Sequence, residues 1–319
     1  MKSPLLLVIV LLFICIGCET KPAKTEKVNT NGLSSWNDTD NKKRILSFVK
    51  NVTDKNSSNY VSPEDRIAVF DLDGTTAIEK PDYVEVAFAK YYAHKRVATD
   101  STLSNQEPYK AVLTNDETYL KDSVASLLTV PFVGMTQKNY KKEITEFMAT
   151  KHPRFDIAYK QLYYKPMREL IAYLQQHEFD VYISSYSLQT YVRFWASNTF
   201  GLAPENGIGT IIDLDYASDT NEFTRTKAYI LTNALKAEVI VYQTGKKPIL
   251  AVGNTSGDTE MLEYASNQTP SLAMIVNHDD ATRAYEYFDE DVLKTAKANN
   301  WEIISMKNDF KVIFGEGNK

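Results

Sequence analysis

Cysteine is missing from residue 19 onward, the two cysteines being Cys15 and Cys18. Thiol catalysis, an internal disulfide and a cysteine-built zinc site are thereby excluded for the body of the chain. A basic cluster is missing too. Lys and Arg number 36 against 41 Asp and Glu, a formal net charge of −5, so no nucleic-acid partner is expected. No internal repeat is visible. The apolar run from Leu5 to Ile16 falls short of the ~20 residues that a membrane-spanning helix needs.

That run follows Lys2 and ends in Ile16-Gly17-Cys18 before the polar Glu19-Thr20-Lys21. It resembles a bacterial lipoprotein signal, which implies that Cys18 is lipidated and becomes the first residue of the mature chain. The expected location is an exported, lipid-anchored one, at the outer membrane facing the periplasm. Cys15 departs from the pattern, standing where such signals usually carry an aliphatic residue. An ordinary cleaved signal or an uncleaved anchor are the alternatives. Asn, Lys and Thr dominate the next stretch, so 1–18 reads as signal and 19–42 as a solvated tether. The remainder has enough apolar content for one sizeable core and a smaller one.

Arg66-Ile67-Ala68-Val69-Phe70 is a nearly continuous apolar run ending in Asp71, the pattern of a buried parallel strand whose C-terminal end faces a ligand. Similar runs lie at Val181 to Ser184, Ile249 to Val252 and Leu272 to Val276. Helical spacing precedes the second (Met167, Leu170, Ile171, Leu174) and follows the third (Met261, Leu262, Ala265). Alternating strands and helices predict an α/β fold: a Rossmann-like, doubly wound parallel sheet, built from 43–80 and 160–319. Between its first two strands, 81–159 reads as a helical cap. Val84, Phe88, Tyr91 and Tyr92 mark one helix there, and Tyr140, Ile144, Phe147 and Met148 another.

Asp71-Leu72-Asp73-Gly74-Thr75 concentrates the chemistry. Two carboxylates two residues apart at a buried strand end repel each other unless a cation joins them, and Gly74 lets the backbone approach an anion. Asp71 can attack phosphorus, and Asp73 can protonate the leaving oxygen. A calcium loop would need oxygen ligands at alternate positions, and Thr75 to Ile78 offer no carboxylate. Gly253-Asn254-Thr255-Ser256-Gly257-Asp258 adds oxygen ligands after another strand, more than a structural turn requires. Ser185 ends the second run and offers a hydroxyl, a weak signal alone.

Together these motifs resemble the haloacid dehalogenase superfamily, and in particular an exported bacterial subgroup with a phosphoserine-phosphatase-like cap. Glu79-Lys80-Pro81, Lys151-His152-Pro153-Arg154-Phe155-Asp156 and the tail from Val276-Asn277-His278 to Asp309-Phe310 share in the likeness, which covers Val61 to Gly315. The resemblance implies a Mg2+-dependent phosphatase acting on a small phosphorylated substrate. Asp71 is then the nucleophile and Asp73 the general acid and base. Thr75, Ser185 and a lysine hold the phosphoryl oxygens. Asp71, the Asp73 carbonyl, Asn254 and Asp258 hold the metal. Asn254 stands where the superfamily usually has an acid, so replacing it with aspartate is expected to tighten metal binding.

Four lysines are candidates. Lys246 and Lys247 precede the strand beginning at Ile249, about 15 Å from its catalytic end at ~3.3 Å per residue. Lys227 reads as part of a surface hairpin. A short helix from Ala237 to Thr244, running back along the strand, returns Lys236 to the catalytic edge. Lys236 is the choice. Glu79 and Lys80 follow the catalytic loop, and His152 and Arg154 lie where the cap rejoins the core. These four are candidate substrate contacts, with hinge capping the plainer role for the last two. Motifs alone do not separate a hydrolase from a phosphotransferase or mutase; against an inactive lipid-anchored binding protein stand the intact Asp71, Asp73 and Asp258, with Asn254 the one feature in its favour.

Overall fold

The computed structural model describes residues 33–231 and 236–315. The signal, Cys18 and most of the expected tether lie outside them. In chain order, helix α1 (Asp40–Thr53) leads to strand β1 (Ile67–Phe70). Five helices follow: α2 (Val84–Thr99), α3 (Tyr109–Thr114), α4 (Glu117–Asp122), α5 (Val124–Thr129) and α6 (Gln137–Met148). Then come α7 (Lys165–Gln176), β2 (Asp180–Leu188), α8 (Gln189–Asn198), β3 (Gly207–Ala217) and β4 (Glu222–Leu231). The chain continues through α9 (Lys236–Thr244), β5 (Leu250–Gly253), α10 (Thr259–Ser266), β6 (Leu272–Asn277), α11 (Glu290–Ala298) and β7 (Glu302–Ser305).

Seven strands form one sheet in the order β4-β3-β2-β1-β5-β6-β7. All neighbours are parallel except β3 and β4, an antiparallel hairpin at one edge. The expected α/β, Rossmann-like sheet is therefore present, with one antiparallel edge strand added. Its apolar runs are continuous because both faces are covered. Ala68 and Phe70 of β1 face one core with Leu250, Val252 and Met274, while Ile67 and Val69 face a second with Ala251, Ala273 and Ile275. Each of the larger side chains among them, fully buried, contributes about 1.5–3 kcal/mol relative to exposure.

One expectation needs correction. The tether was expected to reach residue 42, yet Leu33 and Trp36 are buried in the larger core. Trp36 Nε1 donates to the Pro166 carbonyl at 3.0 Å, and the Ser35 N–H donates to Glu169 at 2.7 Å. Two large apolar anchors outweigh an otherwise polar composition. The cap is also held to the core between its two ends. The Arg225 N–H in β4 donates to the Met135 carbonyl, and the Gly134 N–H donates to that of Arg225, both at 3.0 Å. Arg225, buried, lays its guanidinium 4.0 Å from the ring centre of Tyr140 in the cap. Inside the cap, Phe88, Phe132 and Tyr140 meet with ring centres 5.2–5.5 Å apart.

Candidate active site

Strand order reverses at β1, which has β2 on one side and β5 on the other. Phe70 is in register with Ile183 and with Val252, so the segments after all three strands emerge at one edge of the sheet. This is the switch point where open α/β sheets form a crevice. The Asp71 N–H donates to the Val252 carbonyl at 2.9 Å, continuing the ladder up to the carboxylate.

After Asp71 the chain turns sharply. Thr76 Oγ1 donates to the carbonyls of Asp71 and Leu72, at 3.1 and 3.0 Å. Gly74 has φ +80°, and a Cβ there would come within 2.0 Å of Asn254 Nδ2 and 2.7 Å of the Glu79 carboxyl carbon. Only glycine satisfies both the backbone angle and the close approach. The turn returns Asp73 to the edge beside β2. Asp73 Oδ2 accepts from Ser187 Oγ at 3.0 Å and from Ser185 Oγ at 3.4 Å, and the Tyr191 hydroxyl also steadies the carboxyl group.

Lys236, the first residue of α9, brings its ammonium between two acids. It is paired with Asp71 Oδ1 and, at 2.6 Å, with Asp258 Oδ1. Asp258 Oδ2 accepts from the N–H groups of Asn254 and Thr255, at 2.9 and 3.1 Å, which folds the metal-loop candidate into a cap for the following turn. Asn254 Oδ1 accepts from Thr75 Oγ1 at 3.1 Å, so the Thr75 hydroxyl is committed to the loop. The other lysines lie elsewhere. Lys246 pairs with Asp65 before β1, Lys247 donates to the Asn267 carbonyl, and Lys227 is exposed on β4.

One lysine faces more negative charge than it neutralises. Burial, then Asp258 and Asp73, drive Asp71 well above the usual carboxylate range against the pull of Lys236. Burial raises Asp73 to about 6, while Ser187, Lys236 and Ser185 hold it down. Burial also opposes charge on Lys236, but Asp258 and Asp71 outweigh it and keep the ammonium protonated. Glu79, raised to about 7 by burial, is another acid at this edge.

A cavity of about 270 Å³ opens over this edge under the cap. Asp71, Asp73, Ser185 and Lys236 reach it, and Val86, Val124 and Leu128 of the cap form an apolar wall opposite. Glu79 lines it as well as a smaller neighbouring cavity that Lys80 and His278 share. His152 and Arg154 line neither. His152 packs among Phe155, Tyr159 and Tyr285, and Arg154 donates to the Ala281 carbonyl at 2.8 Å.

Sequence reasoning missed Ser187 and Glu85. Ser187 lies two residues beyond Ser185 in the same strand, and the period of two was signal enough. Glu85 had none, because an acid in the first turn of a helix reads as solvent-facing. It is 3 % exposed and accepts from the Leu188 N–H at 3.1 Å, with Ser187 also bonding to its carboxyl group. Burial raises it to about 8. The sign of its pH effect follows: the folded state binds this proton more tightly than the unfolded chain, so its contribution is fully present below about pH 4.5 and is lost as pH climbs to about 8. Glu85→Gln is expected to raise the melting temperature at pH 9 by several degrees and to give no advantage at pH 4. A melting-temperature difference that stays constant across that range would refute it.

No family model matches the chain, and no curated protein matches it. Solved structures do. A conserved, functionally unknown protein from Anaerococcus prevotii DSM 20548 superposes with TM-score 0.53 at 14% identity, covering 87% of this chain and 96% of that one. A protein of unknown function from Bordetella pertussis Tohama I gives TM-score 0.50 at 14% identity, covering 75% and 98%. A phosphoserine phosphohydrolase-like protein from Francisella tularensis subsp. tularensis SCHU S4 gives 0.41 at 15%, covering 75% and 94%. At such identities the first two likenesses are of fold.

Proposed function

We propose that this chain is a Mg2+-dependent phosphatase of the haloacid dehalogenase type, hydrolysing a small phosphomonoester through an aspartyl-phosphate on Asp71. One observation carries the reading. Asp71, Asp73, Ser185 and Lys236, from three separate stretches of sequence, line a single capped cavity at the switch point of the sheet. In the first step an Asp71 carboxylate oxygen bonds to phosphorus as the ester P–O bond breaks, and Asp73 gives its proton to the departing oxygen. In the second, Asp73 takes a proton from water. The water oxygen bonds to phosphorus, the Asp71–phosphorus bond breaks, and phosphate leaves. A carboxyl near 6 can serve in both directions at neutral pH. Ser185 and Lys236 hold the phosphoryl oxygens, and Ser187 keeps Asp73 in place.

The residues fit a divalent cation. Three buried acids, Asp71, Asp73 and Asp258, share the edge with one lysine. Among the described residues no three His, Cys, Asp or Glu side chains form a metal cage by themselves. The Asp73 carbonyl and Asn254 would therefore join Asp71 and Asp258, a set suited to magnesium, which keeps several waters. When bound, the ion supplies positive charge to the phosphoryl oxygens. Purified protein is expected to release phosphate from a member of a phosphomonoester panel, to stop in excess chelator and to resume on adding Mg2+. Full activity in chelator would remove the metal from the reaction, and no release from any ester would remove the phosphatase.

The cap over the cavity limits access and favours a small substrate. We also propose an anchor at Cys18, outside the described residues. Cys18→Ser is expected to free the protein from the membrane fraction or to leave its precursor uncleaved. Unchanged processing together with unchanged membrane association would reject the anchor.

A further inference from the structure

Asn254 has a carboxyl partner that comes from another part of the chain. Its Nδ2 donates to Glu79 Oε1 at 3.2 Å, and Glu79 is 3 % exposed. Tyr287 donates its hydroxyl to the same carboxylate. The Tyr287 oxygen lies 3.0 Å from His278 Nε2, which sits 2.7 Å from the carbonyl oxygen of Gly74. On the other side Asn254 Oδ1 accepts from Thr75. The contacts run from Gly74 through His278, Tyr287, Glu79 and Asn254 to Thr75, closing a ring on the turn that follows Asp73.

Within that ring Glu79 is in an unusual position. Among the described residues no lysine or arginine forms an ion pair with it. Lys80 places its ammonium 5.0 Å from the ring centre of Tyr287 instead. The carboxylate is thus buried beside an already acidic edge and aimed at an amide. A carboxylate bonded to an amide N–H draws electron density onto the amide oxygen and holds its orientation, as outer-shell carboxylates do for metal-bound histidines. Asn254 Oδ1 has a second lone pair beyond the one that Thr75 uses.

We infer that Glu79 supplies, through Asn254, the negative charge that an aspartate at position 254 would bring to the cation. The inference rests on the Mg2+-dependent reading above. Glu79 is a positioning residue in it, neither ligand nor acid–base group. It also revises the expectation for Asn254→Asp. That change sets two carboxyl groups at hydrogen-bond distance, which must either repel each other or take up a proton to share, so alone it costs stability near neutral pH and above. Paired with Glu79→Gln it restores the bond in the opposite sense, the residue-79 amide donating to the residue-254 carboxylate.

The test is calorimetric titration of Mg2+ into the substrate-free wild type, Glu79→Gln, Asn254→Asp and the double variant, with melting temperatures taken in chelator. Glu79→Gln should weaken Mg2+ binding by about 10–100-fold. Asn254→Asp alone should lower the metal-free melting temperature, and the double variant should regain wild-type affinity. A folded Glu79→Gln protein that binds Mg2+ like wild type would overturn the inference. So would a double variant as weak as Glu79→Gln, which would show that Glu79 acts without Asn254. Absence of Mg2+ binding by the wild type would defeat the metal reading itself, and the inference with it.

Discussion

Asp71→Asn is expected to abolish turnover and any trapped phospho-enzyme, because the amide cannot form the covalent bond. Asp73→Asn is expected to slow turnover by about 10²–10⁴-fold, the range for losing a general acid–base group. With an aryl phosphate the first step should suffer least, since that oxygen leaves without a proton. Hydrolysis of the intermediate still needs a base, so phospho-enzyme should accumulate in Asp73→Asn. Mass spectrometry of a rapidly quenched reaction can locate the phosphate on the peptide containing Asp71. Appreciable activity in Asp71→Asn, or phosphate on another peptide, would leave only the fold standing.

Lys236→Met is expected to do damage of two kinds. The ammonium lies between Asp71 and Asp258, which are 5 % and 0 % exposed. Removing it leaves two buried carboxylates facing each other, and breaking a buried ion pair in this way costs about 3–5 kcal/mol. In chelator the variant should melt well below wild type. Mg2+ should recover part of that loss, because it binds the folded state and spreads charge over the same acids. Turnover should remain depressed by about 10²–10³-fold, the usual cost of removing one donor to a charged reacting group. A Lys236→Met protein with unchanged melting in chelator and near-normal turnover would contradict the placement of this lysine.

The central strands were legible because they are covered on both faces. The runs at β1, β5 and β6 have no polar face to break them, and helix spacing beside them fixed the layer order. Edge elements were not. β4 carries the polar Thr224, Arg225, Thr226 and Lys227, which confine its apolar run to its last four positions, and β7 is mostly half-exposed. The middle of the cap was opaque for a different reason: α3, α4 and α5 are six residues each, too short to show a helical period. At the candidate site, Asp71, Asp73 and Asp258 could be placed from strand ends, and Lys236 from the length of one short helix. The contact between Asn254 and Glu79 could not. They are 175 residues apart, and only the fold reveals the pairing.

The hairpin that grips the cap has a consequence for the protein's behaviour among its own copies. An open sheet ends in two strands with unpaired backbone groups, which invite pairing with another chain. At β4 the N–H and carbonyl of Arg225 are both taken by the backbone at 134–135. At β7 the Asn41 amide caps the Ile303 carbonyl at 2.9 Å, and Asp309 accepts the Ser305 N–H at 2.7 Å. Each rim thus carries its own plug, made at β4 from the distant cap and at β7 from the distant Asn41 together with the neighbouring Asp309. Strand addition by a neighbour would first have to dislodge the cap on one side or the start of α1 on the other. The sheet is thereby guarded against edge-to-edge aggregation at both of its ends.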